Sequence, residues 1–298
     1  EPELDPVVST WQENLTAACA GMQIALPSGS EAADLVVSAG MPTEATCKPL
    51  VTAPFAIDAG LVIAYFADGT LVQLSAKSLG GILTGAITSW DDPQLQKDNP
   101  TLTLPASPVI VSPEADSNAL AAVTAWMKRL DSNFSNTKVK GTPGFELDPS
   151  TFTDGTVAIM TFSAATTYGI TGASIITGKE LVNDLVSPAS DNIKSAASQY
   201  EVKHTALGTE VTLNPGKKPT PPLGADIAPV PYQAVFTINI TICGAENLTN
   251  RAVAKFLLRQ DQQGAISSSS VLSLPEEVRV ESLIDVSKGL PSPSKSGN

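Results

Sequence analysis

Residues Ala59–Phe66 read "AGLVIAYF" and leave little freedom in how this chain folds. Both alternating faces of the segment are apolar, so it suits a strand covered on both sides, as in a parallel sheet layered with helices. The longer apolar run "AGLVIAYFADGTLVQL" is broken by Asp68 and Gly69. No run reaches the roughly 18 apolar residues that a bilayer-spanning helix needs. Other strand-like segments are "ADLVVSAG", "TVAIMTF" and "IAPVPYQAVFTINITIC". Helical patterns lie between them. "DPVVSTWQENLTAACAG" places Val8, Trp11, Leu15 and Ala18 on one face, and "SAKSLGGILTG" carries Ser75 as N-cap and Gly85 as C′. "NLTNRAVAKFLLRQDQQG" and "LPEEVRVESLIDVSKGL" are the last two helical segments, and "SWDDPQLQKDNPTLTLP" reads as a turn-rich loop. This alternation predicts an α/β fold with mostly parallel sheets.

One junction has the form of a ligand site. In "VSPEADSNALAAVTAWMKRL", an apolar strand end runs into a helix with Leu120, Val123, Met127 and Leu130 at helical spacing. Asp116, Ser117 and Asn118 are all good N-cap residues. Free backbone N–H groups at a helix start favour an anion. Yet this loop supplies Glu114 and Asp116 and no basic residue.

With 298 residues, 42% of them apolar, the chain can bury one large core or two lobes. A net charge of −12 argues against nucleic acid or an anionic membrane surface as partner. Residues 289–298 form a Pro/Ser/Gly stretch expected to be a flexible linker, of the kind that leads to a membrane or cell-wall anchor.

The candidates for chemistry are few. There are three cysteines and one histidine, His204, with no C-x-x-C pair, so neither a metal site, a cofactor site nor a Cys/His nucleophile pair is expected. Cys19 and Cys47 form one candidate disulfide, closing a loop of about 28 residues worth about 3.5 kcal/mol in the chain-entropy model. Cys243 would then be a buried free thiol; the alternative is three buried free cysteines. Asp91 and Asp92 read as turn formers and caps rather than an acid/base pair. Trp11 and Trp126 fall on apolar helix faces, and Lys217 and Lys218 lie in a solvated loop. No G-x-S-x-G elbow surrounds a serine, and no enzyme is expected. The sequons at Asn14, Asn133, Asn239 and Asn247 read as coincidence in a chain rich in Ser and Thr.

Residues Leu74–Val111, "LSAKSLGGILTGAITSWDDPQLQKDNPTLTLPASPVIV", resemble the PstS family, the phosphate-binding proteins of ABC transporters. The resemblance rests on Leu79, Ile82, Leu83 and Gly85, then Ile87, Trp90, Asp91, Asp92 and Pro93, then Asn99, Pro100, Leu102, Leu104 and Pro105, followed by an apolar strand. It implies a two-lobed type II periplasmic-binding fold. Lobe 1 would be residues 1–63 and 232–288, and lobe 2 residues 64–231. By family position the ligand contacts would be Ser28, Ser30, Ser38, Gly40, Ser117 and Asn118. The family's gripping groups are largely replaced. Pro113 stands where the resemblance puts an arginine, Ala115 where it puts an aspartate and Ala119 where it puts a threonine. Gly40 stands where it puts an acid, and the family's first gripping loop would precede Glu1. Each charge-assisted hydrogen bond lost removes roughly 1.5–3 kcal/mol. The resemblance therefore implies a non-catalytic, extracytoplasmic (secreted or cell-surface) substrate-binding domain with a degenerate phosphate site. Its partner would be a small solute or a surface protein. The alternative is a cell-surface structural or interaction module that reuses the scaffold without a small ligand.

Overall fold

A computed structural model describes residues 5–19, 21–22, 24–25, 33–40, 42, 47–178, 184–221, 224–266 and 269–291. The chain begins with helix α1 (Asp5–Ala18), strands β1 (Leu35–Ser38), β2 (Pro49–Tyr65) and β3 (Gln73–Ser75), and helices α2 (Ala76–Thr84) and α3 (Pro93–Asp98). There follow β4 (Ile110–Val111), β5 (Glu114–Asp116), α4 (Ser117–Leu130), β6 (Lys140–Thr142), β7 (Thr156–Thr161) and α5 (Phe162–Thr167). Next are β8 (Ser174–Ile176), β9 (Leu185–Val186), α6 (Ser190–Ala197), β10 (Tyr200–Thr205) and β11 (Gly208–Leu213). The last elements are β12 (Val235–Cys243), α7 (Leu248–Leu257), α8 (Gln260–Ala265), β13 (Leu272–Ser273) and α9 (Glu276–Val286). They form two compact units. The first comprises Glu1–Ala56, Tyr200–Leu213 and Thr237–Asn298; the second comprises Ile57–Gln199 and Asn214–Phe236.

In the first unit the strand order is β1-β12-β2-β11-β10. β1 runs antiparallel to β12, from Leu35 opposite Ile242 to Ser38 opposite Asn239. The β10–β11 hairpin, absent from the sequence reading, meets β2 at Gly208 and Thr52. That contact demands glycine, because a Cβ at Gly208 would lie 2.3 Å from the Thr52 carbonyl oxygen and φ is +118°. Trp11 is buried in the core as expected, edge-on to Phe55 at 5.5 Å, with its indole N–H donating to the Gln262 carbonyl at 3.2 Å.

The disulfide differs from the expected Cys19–Cys47 pairing. Cys47 is bonded to Cys243, with a Cα–Cα separation of 5.1 Å, and Cys19 is an exposed free thiol. Cys47 lies just before β2 and Cys243 ends β12, so strand pairing rather than nearness in sequence selects the partner. The Gly244 N–H donates to the Lys48 carbonyl at 2.8 Å and fixes the two backbones side by side. A bridge across 196 residues removes about 5 kcal/mol of unfolded-state freedom in the chain-entropy view.

In the second unit the apolar segment that begins at Ala59 is buried, as its composition requires; burial in β2 is unbroken from Val51 to Ala64. Its ladder there is antiparallel, with β7, from Gly60 opposite Thr161 to Tyr65 opposite Thr156. Parallel pairing joins β4 to β7, β3 to β8 and β5 to β6. Helix α4 lies against β2 at Gly60, where a Cβ would sit 2.3 Å from the Ala119 carbonyl oxygen. Trp126 of α4 packs edge-on to Tyr232 at 4.6 Å, and the Tyr232 hydroxyl donates to the Gly60 carbonyl at 3.0 Å.

The motif around Trp90 builds this unit. Helix α2 starts at the predicted Ser75 cap, forming a capping box with Ser78, and ends at Gly85 with φ 81°. Trp90 is fully buried, edge-on to Phe66 at 4.9 Å, and its indole N–H donates to the Gly155 carbonyl at 3.1 Å. Within the expected turn-rich loop, Asp92 accepts from the Gln94 N–H at 2.8 Å and Pro93 opens the short helix α3. Asn99 then grips Gln73 in both directions, at 2.8 and 2.9 Å. Buried Asp98 accepts from the Ser75 N–H at 2.8 Å and from the Ser78 hydroxyl. These polar residues are consumed in fastening α2, α3 and β3 together.

Candidate functional site

The helix start singled out by the sequence is built from three elements of the second unit. β5 pairs in parallel with β6, placing Asp116 opposite Thr142. α4 begins at the next residue, so its first N–H groups point back at the end of β5. After β6 the chain turns at Gly144, whose φ of +65° suits glycine.

Asp116 sits at the focus of these donors and is 8% exposed. Its Oδ1 accepts from the Asn118 N–H at 2.8 Å and the Ala119 N–H at 3.0 Å. Its Oδ2 accepts from the Gly144 N–H at 3.1 Å. The helix start therefore does hold an anion, and that anion belongs to the chain itself. Glu114, two residues earlier, accepts from the Thr142 hydroxyl. A further anion 4 Å from a carboxylate meets a repulsion of about 1 kcal/mol in water and about 4 kcal/mol at an effective dielectric of 20.

Of the three cap candidates, Asp116 is the cap, and Ser117 is the first helical residue. The reason is reach. Only Asp116 has a two-oxygen group that can bridge the helix N–H groups and the Gly144 turn at once. Ser117 and Asn118 are half-buried in the second unit. Ser38 and Gly40 belong to the first unit, where the Ser38 hydroxyl donates to the Gly40 carbonyl at 2.6 Å. A Cβ at Gly40 would meet nothing within 4 Å. Ser28 and Ser30 lie outside the described residues. Among the described residues no group of three His, Cys, Asp or Glu side chains is arranged to hold a metal ion. No helix among them is long and apolar enough to cross a membrane.

Two units built of mixed α/β layers, with β2 and β12 each passing from one to the other, define the fold of the periplasmic binding proteins. The particular structures it is similar to are these. One is the high-affinity periplasmic phosphate-binding protein PfluDING, bound with phosphate, at 14% identity, covering 99% of this chain and 91% of that one with a TM-score of 0.55. Another is the ancestral soluble variant of the Human Phosphate Binding Protein, at 16% identity, covering 86% and 80% of the two chains with a TM-score of 0.54. A third, from Clostridium perfringens, is assigned as a phosphate ABC transporter substrate-binding protein and contains phosphate; identity is 11%, coverage 92% and 96%, and TM-score 0.52. No family model matches the sequence, and no curated protein matches it significantly.

Proposed function

We propose that this chain is a non-catalytic, extracytoplasmic substrate-binding module of PstS-like fold whose oxyanion site is degenerate. One observation carries the reading: the Asp116 carboxylate occupies the Asn118, Ala119 and Gly144 N–H donors that an oxyanion would need. Pro113, Ala115 and Ala119 add no cation or hydroxyl to replace what the carboxylate uses. The fold-level likeness to phosphate-binding proteins supports the binding role, while these side chains favour a neutral or cationic solute over phosphate. The Cys47–Cys243 disulfide supports an oxidising, extracytoplasmic setting.

Isothermal titration of the intact chain tests this. Phosphate and sulfate are expected to give no saturable heat at millimolar concentration. Micromolar or tighter phosphate binding overturns the degenerate site. A panel of neutral and cationic small solutes should contain a binder. If it contains none while a surface protein binds, the chain is an interaction module and the solute-binding role falls.

A further inference from the structure

The β10–β11 hairpin is an excursion. The chain leaves the second unit after Gln199, forms the hairpin within the first, and returns at Asn214. Besides its contact with β2, the hairpin is fastened to α9 by a polar cluster centred on His204, the only histidine of the chain. His204 Nδ1 lies 2.8 Å from Asp285 Oδ2, and Nε2 lies 3.0 Å from Glu281 Oε2. Thr209, opposite His204 in the ladder, donates its hydroxyl to the same Asp285 oxygen at 2.6 Å.

Both ring nitrogens therefore face carboxylate oxygens, which only accept hydrogen bonds when ionised. A neutral imidazole has one N–H and one lone pair, so it satisfies one carboxylate and sets its lone pair against the other. Only the imidazolium donates to both. We propose that His204 is a proton-operated latch, holding the β10–β11 hairpin against α9 when charged and loosening it when neutral.

The surrounding charges agree. On α9 the facing groups are Glu281 and Asp285. Lys288, just beyond the helix, pairs with the other Asp285 oxygen at 2.6 Å and partly offsets the carboxylates. From α7, Arg251 donates to the backbone carbonyls of Asp285 and Val286 and keeps that end of α9 in place. On the hairpin, Lys203 and Glu210 are opposite one another in the ladder and alternate to its other face, as does Glu201. Hydrogen bonding to Asp285, then to Glu281, raises the His204 pKa above its ordinary value. The imidazolium's part of the fastening is thus complete from about pH 6.5, the free imidazole value, down to the range where the carboxylates protonate, and it is lost as pH rises through the raised value.

A single histidine makes the test clean. Proton NMR of the intact chain should show one imidazole titration with its midpoint above about 6.5. Hydrogen exchange of residues 200–213, corrected for the chemical effect of pH, should quicken through that midpoint. Each unit by which the docked pKa exceeds the free one allows up to about a tenfold rise in hairpin opening. Exchange in α2 should not follow. His204→Gln should leave hairpin exchange fast and independent of pH, and Glu281→Gln should lower the imidazole midpoint without unfolding the chain. A midpoint at or below the free value overturns the proposal. So does hairpin exchange that ignores pH in the parent chain, or that follows pH equally in His204→Gln.

Discussion

Arg251 and Arg279 cap each other's helices. Arg251 of α7 donates through Nη1 to the Asp285 and Val286 carbonyls at the end of α9, at 3.1 and 3.3 Å. Arg279 of α9 donates through Nη1 to the Leu258 carbonyl at the end of α7, at 2.8 Å. A helix leaves its last carbonyls without intrahelical partners, and a cation there also meets the negative end of the macrodipole.

Arg251, 5% exposed, is the more costly of the two to replace. Arg251→Met should destabilise the first unit by about 2–3 kcal/mol, since buried carbonyls lose a charged donor. Arg251→Lys should recover only part of this, because a single ammonium cannot reproduce the guanidinium's geometry. Urea unfolding followed by circular dichroism measures both.

The Gly60 contact with α4 predicts a sharp contrast between two glycines. Gly60→Ala places a methyl group 2.3 Å from the Ala119 carbonyl and 2.9 Å from Val123, so α4 must shift. A cost of about 1–3 kcal/mol is expected. Gly40→Ala, with nothing within 4 Å, should be close to neutral. Thermal melts of the two variants side by side decide the point.

Asp285 should shape the acid limb of stability. Burial alone would push its carboxyl up, but hydrogen bonds from Lys288, Thr209 and His204 outweigh that and hold it at about 2. A depressed pKa contributes stability above the unfolded value of 3.8, and that contribution is lost as pH falls toward about 2. Its size is about 2 kcal/mol. Asp285→Asn should be less stable at neutral pH and should lose correspondingly less between those two values. Urea midpoints across the range measure it.

The cysteines should separate cleanly by chemistry. Under non-reducing denaturation, alkylation is expected to label Cys19 alone; after reduction it should label all three. Cys243→Ser should cost about 2–5 kcal/mol, the usual range for a native bridge, whereas Cys19→Ser should cost little. Mass spectrometry and urea unfolding check these outcomes.

Much of the fold was legible because it is written in local periodicity. Ser75 and Gly85 bound α2 as read, since a cap depends on residues three or four positions away. The hairpin was missed because "YEVKHTALGTEVTL" carries no uniform apolar face, and its docking depends on Thr52 and on α9, far off in the sequence. The candidate site was half legible. The strand, the turn and the helix start were visible, but three residues in a row could cap it. Only the Gly144 N–H, 28 positions away, distinguishes Asp116 from its neighbours.

By itself the sequence determined the alternation of strands and helices, the burial of the segment from Ala59 to Ala64 and the absence of a basic residue at the start of α4. These follow from side-chain periods of two and 3.6 and from composition, which need no knowledge of distant partners. The tertiary structure alone decided which cysteine Cys47 meets, which strand lies beside β2, which carboxylates clasp His204 and that Asp116 fills the helix start. Each of those depends on bringing together segments separated by tens to hundreds of residues. Loop closure costs entropy that only the assembled core repays, and no local pattern records which closures the core selects.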